Sequence, residues 1–454
     1  MLKKWLGKML SGAKGKAVPK TVVPFAQHGI SADMLSFAAE KVIGRLHKEG
    51  FEAYVVGGAV RDLLLGVEPK DFDVATNATP EQVHKIFRRS RIIGRRFQIV
   101  HVMVGPETIE VTTFRGKGKV QQNASGRIMK DNTYGSIEED AMRRDFTCNA
   151  LYYNPATEEI VDFHHGIADI AERKIVMIGD AAERYQEDPV RILRAVRLSG
   201  KLGFEVEAQT AAPIAEYSGR LKHEPVARLF DEMTKLLFSG YARECLNRLN
   251  SLQVSDGIHP LLDALKSADR SDSRIIRLAL KNTDERLRQD KSVSVGFVLA
   301  AVLWPKLHRM WQNRLEQGMK PAQGLVEAVG ELRETVEKGW GVPQRFSSTM
   351  REIWQFQPQF EYTRGARPHR LLAQQRFRAA YDFMMLRRDA GEVDAELAEW
   401  WTQFQHADEE TRSAMTLAAQ QQAEKMRKNE EGGSTKAKRR RRPRRKKTAA
   451  QSQS

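Results

Sequence analysis

The sequence predicts an α+β domain followed by a long helical region. The strand candidates are six short apolar segments, at residues 53–56, 72–75, 98–104, 108–114, 160–163 and 174–177. Helical segments interrupt them, which favours a mixed sheet over a regular series of βαβ units. From about residue 180 to about residue 425, nearly every periodic segment has the spacing of apolar positions that is typical of a helix.

Helix start and stop signals place the main helices of the first 240 residues. The predicted helices lie at residues 32–49, 79–88, 138–153, 187–198 and 227–238. Thr79 and Pro80 are a favourable N-cap and first helical residue, and Gly50 is placed to end the first helix. Three segments are polar or of low complexity and are expected to be flexible, at residues 1–25, 116–134 and 426–454.

The positive charge of this 454-residue chain is concentrated near its end. The formal net charge is +16, and residues 436–447 alone hold ten basic and no acidic side chains. Such a segment favours polyanionic partners. The alternatives are a solvated extension and a contact with an anionic membrane surface.

Cysteine content and hydropathy predict a cytoplasmic protein without a membrane span. Cys148 and Cys245 are the two cysteines, and they lack the spacing of a metal site or a disulfide framework. The basic N-terminus lacks the apolar core of a signal peptide. The apolar run at residues 293–304 is too short to cross a bilayer and predicts a buried helix.

Two aspartates at a predicted strand form the first candidate site. Asp71 and Asp73 alternate around Phe72, so both carboxylates would project from one face while Phe72 points into the core. Paired carboxylates suit Mg²⁺, a hard cation that prefers oxygen ligands. Glu110, in the strand at 108–114, is a candidate third ligand, and the three could hold two Mg²⁺ ions. The alternative is a set of ordinary solvated acids.

A glycine turn precedes these aspartates. Gly57 and Gly58 end the apolar run at residues 53–56 and begin a short helix that Gly66 can end. Adjacent glycines allow the backbone to approach phosphates closely, and Arg61 could clamp one of them. A simple turn is the alternative. Together with the aspartates, the turn predicts metal-assisted chemistry on a nucleoside triphosphate.

Arg143, Arg144 and Asp145 form a second cluster, for which two interpretations stay open. One is a salt-bridged helix face, because Glu139 and Asp140 lie three to four residues before the arginines. The other uses an arginine, with Arg144 as the candidate, to balance triphosphate charge and Asp145 to bind a ribose hydroxyl.

The helix predicted at residues 187–198 presents a basic face. Asp188 is placed as its N-cap and Pro189 in its first turn. The arginines on the face opposite the packing stripe are Arg191, Arg194 and Arg197. An arginine beside an acid can pair with the donors and acceptors of a base edge, so this helix could read the nucleotide. A solvated basic helix is the alternative.

Five ordered motifs resemble those of the class II nucleotidyltransferases in the polymerase-beta superfamily. They are GGAVRD, KDFDVATNATPEQV, EVTTFR, RRDFTCNALYY and EDPVRILRAVRLSGKLGF, within about residues 50–240. This class contains tRNA CCA-adding enzymes and bacterial poly(A) polymerases. The resemblance implies a polymerase-beta-like catalytic head with a mixed sheet at residues 26–178, a helical neck at 179–240, and a helical body and leg at 241–425.

The resemblance also implies roles for the residues of these motifs. The implied catalytic residues are Asp71, Asp73 and Asp145. The implied metal ligands are Asp71, Asp73 and Glu110. Asp188 and Arg191 match the positions at which the class recognises the incoming base. The further nucleotide-binding candidates, selected from the residues themselves, are Gly57, Gly58, Arg61, Arg144 and Arg194.

Several features favour a bacterial poly(A) polymerase over a CCA-adding enzyme. The segment IIGRRFQIVHV at residues 92–102 resembles the poly(A) polymerase motif in which two arginines precede a phenylalanine. The segment RFRAAYDFMMLR at residues 376–387 and the arginine-rich tail resemble the same subfamily. No His-Asp dipeptide occurs in the chain, so the metal phosphohydrolase domain of some CCA-adding enzymes is not indicated.

The sequence therefore predicts a monomeric, template-independent polynucleotide adenylyltransferase that adds AMP from ATP to RNA 3′ ends and so promotes RNA decay. RNA with a free 3′-hydroxyl is the expected partner, and RNA-decay and RNA-chaperone proteins are further candidates. The tail would neutralise RNA phosphates without reading sequence. Its RNA-binding candidates are Arg439, Arg440, Arg441, Arg442, Arg444 and Arg445. The alternatives are a tRNA CCA-adding enzyme, an RNA-binding protein with an inactive head, and a small-molecule nucleotidyltransferase.

Overall fold

The computed structural model describes residues 20–94, 97–116, 121–122, 128–130, 133–266, 273–339 and 341–439. Side chains are described for all of these except residues 121–122, 128–130, 335–339 and 426–439. The chain divides into two compact units. The first is Met1–Lys266 with Asp284–Asp290, and the second is Ser267–Thr283 with Lys291–Ser454.

The first unit is built on an eight-stranded mixed sheet, to which two small strand pairs are added. The strands in chain order are β1 (Thr21–Pro24), β2 (Ala53–Val56), β3 (Asp73–Thr76), β4 (Ser90–Ile93), β5 (Ile99–Val104), β6 (Glu107–Thr113), β7 (Gln121–Gln122), β8 (Ile128–Lys130), β9 (Leu151–Asn154), β10 (Glu159–Asp162), β11 (Lys174–Ile175) and β12 (Glu205–Val206). The large sheet has the order β1-β10-β9-β2-β3-β6-β5-β4. In this sheet β3 and β6 run parallel, and every other pair of neighbouring strands runs antiparallel. β11 pairs with β12, and β7 pairs with β8.

Helices connect and cover these strands and make up the second unit. Those in the first unit are α1 (Phe25–His28), α2 (Phe37–Lys48), α3 (Gly58–Leu64), α4 (Pro80–Ile86), α5 (Ile137–Arg143), α6 (Gly166–Ala171), α7 (Ala181–Glu187), α8 (Val190–Leu202), α9 (Ala208–Ala211), α10 (Ile214–Ser218), α11 (Val226–Leu237), α12 (Ala242–Ser251) and α13 (Pro260–Lys266). The later helices are α14 (Arg274–Arg288), α15 (Val295–Glu316), α16 (Pro321–Gly339), α17 (Gln344–Phe356), α18 (Arg367–Leu372), α19 (Phe377–Ala390), α20 (Ala395–His406) and α21 (Glu409–Arg439). Short 3₁₀ helices lie at Ala32–Met34, Thr147–Asn149, Gly219–His223 and Gln357–Gln359.

Helix α2 packs against β2 and β6 near the centre of the sheet. Ser36 caps it, because the hydroxyl accepts a hydrogen bond from the Ala39 N–H at 3.2 Å. Its buried stripe is Ala38, Ala39, Val42, Ile43 and Leu46. This cap places the start of the helix at Phe37, whereas the sequence predicted a helix from residue 32. Burial of the stripe is the main contribution of α2 to stability.

The helix predicted at residues 138–153 is wrong in its second half. α5 ends at Arg143, and β9 lies between β10 and β2 inside the sheet. Apolar spacing continues past Arg143, but Tyr152 and Tyr153 are fully buried as neighbours in β9. Packing of these aromatic residues within the sheet overrides the local helical pattern.

Other predicted boundaries also differ from the structure. β1 lies within the predicted flexible arm and forms an edge of the large sheet, while β4 was not predicted. The strand predicted at 174–177 is β11, which pairs with β12 outside the large sheet. The N-cap residue of α8 is Pro189, one residue after the predicted Asp188. α21 reaches Arg439, so the backbone of the predicted tail is helical to that point, and residues 440–454 lie outside the described residues.

The register of the sheet brings two distant acidic positions together. The parallel pairing of β3 with β6 places Asp73 opposite Glu110. The antiparallel pairing of β2 with β3 places Val56 opposite Asp73. The turn that begins at Gly57 therefore lies at the same end of these strands as the two carboxylates.

The second unit has an aromatic core of its own. The ring of Trp401 meets that of Phe360 edge-on at 5.0 Å between centroids, and its Nε1 donates to the Phe360 carbonyl at 2.8 Å. The apolar run predicted as a buried helix lies in α15, which passes through Pro305 and buries residues 298–304. Among the described residues, no helix is long and apolar enough to cross a membrane.

Two helices of the first unit approach each other closely at Gly200. A Cβ atom added to this glycine would lie 2.6 Å from both the Cα and the Sγ of Cys245, in α12. Such an approach leaves no room for a side chain. The contact fixes the position of α8, which carries the arginines predicted to face a nucleotide.

Gly200→Ala should therefore destabilise the protein, by about 1–3 kcal/mol, because the added methyl group overlaps the backbone of α12. The matched control is Gly44→Ala, at an exposed helical position where an added Cβ meets nothing within 4 Å. This control should be neutral or should stabilise the protein by up to about 1 kcal/mol. Circular dichroism during thermal and urea unfolding measures both. Equal unfolding midpoints for the two variants would contradict the close contact.

Candidate active site

A cleft of about 570 Å³ opens in the first unit. One side is formed by the ends of β2, β3 and β6, and the other by α8 and α11. Its lining is dominated by charged side chains of both signs. The acidic ones are Asp73, Glu110, Asp140, Asp145, Glu187 and Asp188. The basic ones are Arg61, Arg115, Arg143, Arg144, Arg191, Arg194, Arg197, Lys201 and Arg228.

The glycine turn forms the wall of the cleft next to β2. Gly57 has a φ of +79° and a ψ of −129°, a conformation that a residue with a side chain rarely adopts. Gly58 is the first residue of α3, and a Cβ there would lie 3.4 Å from the Nη2 of Arg61. Both glycines line the cleft, so their backbone borders the space available to a ligand.

The guanidinium of Arg61 is buried and bonded within the protein. Its Nε and Nη2 donate to the Oδ1 of Asp62, at 2.9 and 2.6 Å. Its Nη1 donates to the Oδ1 of Asn149 at 2.6 Å. Arg61 was predicted to clamp a phosphate. In the structure its charge is balanced by Asp62, and its Nη1 holds the turn against Asn149.

The two carboxylates on neighbouring strands lie at the edge of the cleft. Asp73 begins β3, and Glu110 lies beside it in β6. Phe72 is buried, as predicted, and both Asp71 and Asp73 are exposed, but only Asp73 is part of the cleft lining. The Oε1 of Glu110 is 3.2 Å from the Nε2 of His101. The sheet therefore places Asp73 and Glu110 together and leaves Asp71 further out.

The surroundings of Asp73 disfavour its ionised form. Loss of surrounding water and the charge of Glu110, with a smaller effect of Asp71, raise the pKa of Asp73 to about 6, while Arg144 opposes the shift. Two carboxylates that repel each other are the donor set that a hard cation prefers. Mg²⁺ usually takes one or two carboxylates and completes its shell with water and substrate phosphates. The pair fits such an ion.

The predicted three-ligand set is not preformed. Among the described residues, no group of three or more His, Cys, Asp or Glu side chains is arranged to hold a metal ion. Asp71, Asp73 and Glu110 therefore do not surround one point in this structure. An ion bound at the pair of Asp73 and Glu110 would need further oxygen ligands from substrate or water, or a movement of Asp71.

Arg144 adopts the salt-bridged arrangement that was one of its two interpretations. Its Nη2 and Nε are 3.0 and 3.1 Å from the Oδ2 of Asp140, and its Nε donates to the Tyr152 hydroxyl at 2.9 Å. Burial disfavours the ionised form of Asp140, but Arg144 and Tyr152 outweigh it and keep the Asp140 pKa below its usual value. Arg144 also lines the cleft, and its charge stabilises ionised Asp73.

Asp145 is buried and holds an arginine of α8. Its Oδ2 is 2.5 Å from the Nη2 of Arg194, and its Oδ1 accepts the Phe146 N–H at 2.8 Å. Burial disfavours the ionised form of Asp145, but Arg194, the Phe146 N–H and the Asn149 side-chain amide keep its pKa below the usual range. Asp145 was predicted to bind a ribose hydroxyl. In this structure its carboxylate is engaged with Arg194.

The predicted base-reading residues, Asp188 and Arg191, each have another partner. Asp188 accepts a hydrogen bond from the Nη2 of Arg228 at 2.6 Å. Arg191 donates to Glu187 at 2.7 Å and to the carbonyl of Arg184 at 2.8 Å. Burial opposes ionisation of Asp188, but Arg228 outweighs it and lowers the Asp188 pKa.

Several buried polar atoms on this wall have no hydrogen-bond partner among the described residues. They are Asp145 Oδ2, Arg184 Nε, Arg194 Nε, Arg197 Nε and Glu232 Oε2. The residues that carry these atoms are nevertheless ion-paired, namely Asp145 with Arg194, Arg197 with Glu232 and Arg184 with Glu187. Asp145, Arg194 and Arg197 line the cleft, so a polar ligand that enters it would be able to complete their hydrogen bonding.

Arg228 is the functional candidate that sequence reasoning missed. It lies on α11, which was predicted correctly as a strongly amphipathic helix. The helical spacing was sufficient to place Arg228 on the polar face of α11. It was not sufficient to identify its partner Asp188, which is 40 residues away in the chain. Two predicted features lie outside the described residues, namely the arginine pair Arg95 and Arg96 and the tail arginines at 440–445. The side chain of Arg439 is also outside them.

Three family models match separate parts of the chain. The poly A polymerase head domain matches residues 53–176. A model described as the probable RNA and SrmB-binding site of polymerase A matches residues 203–266. The polymerase A arginine-rich C-terminus matches residues 317–446.

Known proteins resemble the chain over very different lengths. Poly(A) polymerase I of Escherichia coli O6:H1 is 43% identical over 399 residues, which cover 85% of this chain and 86% of that protein. The Haemophilus influenzae poly(A) polymerase I is 39% identical over 408 residues, or 87% and 90% of the two chains. The CCA-adding enzyme of Bacillus pumilus is 38% identical over 213 residues, which cover 47% of this chain and 52% of that enzyme.

A solved structure of a CCA-adding enzyme also resembles the chain. The Bacillus stearothermophilus CCA-adding enzyme in complex with CTP matches with a TM-score of 0.53 and 26% identity, covering 80% of each chain. The two poly(A) polymerases are 39–43% identical to this chain over most of its length, whereas the sequence match to the CCA-adding enzyme covers about half of it. The chain thus belongs to the bacterial poly(A) polymerase I family.

Proposed function

We propose that the protein is a template-independent RNA 3′ adenylyltransferase. The RNA 3′-hydroxyl loses its proton to water and its oxygen bonds to the α-phosphorus of ATP. The bond from that phosphorus to the oxygen bridging it to the β-phosphorus breaks, and pyrophosphate leaves with this oxygen. The extended RNA then serves again as the primer. The observation that carries this proposal is the cleft in which the pair of Asp73 and Glu110 shares one space with the arginines of α8.

The carboxylates would hold Mg²⁺. Asp73 and Glu110 are the residues already adjacent, and Asp71 would join them when substrate is present, as ligands of two ions. When bound, the metal supplies charge neutralisation at the phosphates and a more acidic attacking hydroxyl. The parallel pairing of β3 with β6 keeps the two carboxylates together, so little of the site must reorganise for the reaction.

The remaining residues would position ATP. The backbone at Gly57 and Gly58 borders the path of the triphosphate, and Arg61 keeps this turn in place through Asn149. The base would lie against Asp188 and Arg191, which are held by partners that leave part of each side chain facing the cleft. Precise placement of the hydroxyl and the α-phosphorus contributes much of the rate enhancement in such a transfer.

Asp145 acts as a positioning residue in this proposal. Its ion pair with Arg194 fixes a guanidinium within the cleft, which supports a role in aligning the nucleotide rather than a proton transfer. Arg144 would contribute charge near the phosphates while it remains bonded to Asp140.

RNA would approach as a flexible single strand with a free 3′ end. The matches to a probable RNA-binding region at residues 203–266 and to an arginine-rich C-terminus support RNA binding by the segment that follows α8 and by the end of the chain. Basic side chains would neutralise phosphates irrespective of base sequence. A cytoplasmic role in marking RNA for decay, with RNA-decay proteins as partners, belongs to the same proposal.

Addition of CCA to tRNA is the second candidate, favoured by the structural match to a CTP complex. The sequence match to CCA-adding enzymes spans about half of this chain. The sequence match to the Escherichia coli poly(A) polymerase I covers 85% of this chain, which supports adenylation. A head without activity would not need the paired carboxylates of the cleft.

Asp73→Asn should reduce adenylate transfer on the order of 10³-fold, because loss of a carboxylate removes charge that the metal requires. Extension of an oligoadenylate primer with ATP and Mg²⁺ measures transfer, and Mn²⁺ binding followed by electron paramagnetic resonance should weaken in parallel. Asp231→Asn, at an exposed position outside the cleft, is the control and should match the unmodified protein. Normal turnover by the Asp73 variant would remove this residue from the site, and absence of extension by the unmodified protein would refute the proposed function.

Arg228→Ala should weaken the selection of ATP over CTP, by roughly tenfold or more, because Asp188 loses its charged hydrogen-bond partner and becomes mobile. The matched control is Arg248→Ala, which removes an arginine paired to Glu205 outside the cleft. The ratio of kcat/KM for the two nucleotides measures selection. An unchanged ratio with reduced stability would mean that Arg228 supports only the fold.

A further inference from the structure

Lys201 has a distinct position in the cleft. It lies in the last turn of α8, near the end opposite to Arg191, and it lines the same cleft as Gly57, Gly58 and Arg61. Its side chain is partly buried. Ten residues separate Arg191 from Lys201, which corresponds to about 15 Å along a helix.

The other positive charges of the α8 wall have partners in the structure. The ion pairs are Arg191 with Glu187, Arg194 with Asp145, Arg197 with Glu232 and Arg228 with Asp188. Beyond α8, Arg61 is paired with Asp62 and Arg144 with Asp140. For Lys201, neither an ion pair nor a side-chain hydrogen bond occurs within the described part of the chain.

The surroundings of Lys201 are unfavourable for an isolated ammonium group. Burial lowers the pKa of Lys201, and Arg61, Arg197 and Lys70 act in the same direction. Asp62 opposes them, but its Oδ1 already accepts two hydrogen bonds from Arg61. A partly buried cation among other cations is stabilised by an anion that enters the cleft.

We propose that Lys201 binds the β- and γ-phosphates of the incoming nucleoside triphosphate, the part that leaves as pyrophosphate. This inference rests on the proposed function, which places the base near Asp188 and Arg191. With the base at the first turn of α8, the triphosphate extends along the helix towards its last turn. It then passes the glycine turn, beside which Asp73 lies across the β2–β3 pairing.

An RNA phosphate is the competing anion. Lys201 lines the same cleft as Gly57, Gly58 and Asp73, where the triphosphate is proposed to bind, and this favours the nucleotide. The two anions differ in what they predict. A triphosphate ligand makes Lys201 important for ATP and pyrophosphate but not for AMP, and an RNA ligand makes it important for primer affinity.

The test compares Lys201→Ala with Lys201→Arg and with Lys222→Ala, which removes an exposed lysine outside the cleft. Affinities of the full chain for ATP, AMP and pyrophosphate are measured by calorimetry with Mg²⁺ and without RNA, and primer affinity is measured separately. Lys201→Ala should weaken ATP and pyrophosphate binding about tenfold, because a charge-assisted hydrogen bond is lost. AMP and primer affinity should stay unchanged, and Lys201→Arg should retain most of the ATP affinity.

Two results would overturn this assignment. Equal losses for ATP and AMP would mean that Lys201 acts on the shape of the cleft, and a loss confined to the primer would assign it to RNA. If Lys201→Ala does not fold, Lys201→Gln is compared with Lys201→Arg by the same ratio of ATP to AMP affinity. Unmodified protein that extends RNA, together with a Lys201→Ala variant of normal ATP affinity, would reject the lysine inference while the proposed function stands.

Discussion

The parallel pairing of β3 with β6 is the constraint on which the site depends. It holds the carboxylates of Asp73 and Glu110 side by side, although 37 positions separate them in the chain. The loss of water around Asp73 and the charge of Glu110 next to it are unfavourable, as the Asp73 pKa of about 6 indicates. The hydrogen bonds of the sheet prevent the two strands from separating to relieve this repulsion. The close approach of the two carboxylates is unfavourable in the empty cleft and becomes favourable when a cation and phosphates enter. Such perturbed ionisable groups are typical of functional sites.

On the α8 wall of the cleft, by contrast, the charged side chains are paired with partners of opposite charge. Its arginines form ion pairs with acidic partners. The pairs are Arg194 with Asp145, Arg191 with Glu187 and Arg228 with Asp188. Partly buried ion pairs contribute little net stability, so their effect is mainly to fix the guanidinium groups before substrate arrives. The close contact of Gly200 with Cys245 holds the helix that carries most of them. Lys201 differs from these arginines because its counter-charge is expected to come from the ligand.

Local sequence patterns predicted those parts of the fold that local chemistry decides. The strand at residues 53–56 is confirmed, as is the N-cap role of Thr79, whose hydroxyl accepts the Gln82 N–H. Alternation of polar and apolar residues placed Asp73 and Glu110 correctly on their strands. The strand at Leu151–Asn154 was missed, because the burial of its tyrosines depends on neighbours from distant segments.

Partner choice within the site was the least predictable feature. The pattern indicated that Asp188 and Arg191 lie together, but not that Arg228 from another helix would bind Asp188. Spacing suggested a salt bridge for Arg144, whereas only the packed fold shows Asp145 engaged by Arg194. Such pairings depend on how α5, α8 and α11 pack, which a single sequence does not encode in any local pattern.

The most direct test of the account offers ATP and CTP, separately and together, to an oligoadenylate primer and to a tRNA that lacks its 3′ CCA. The expected result is long adenylate extension of the primer with ATP and little incorporation of CTP on either RNA. Incorporation of CTP on tRNA that stops after a defined trinucleotide would contradict it.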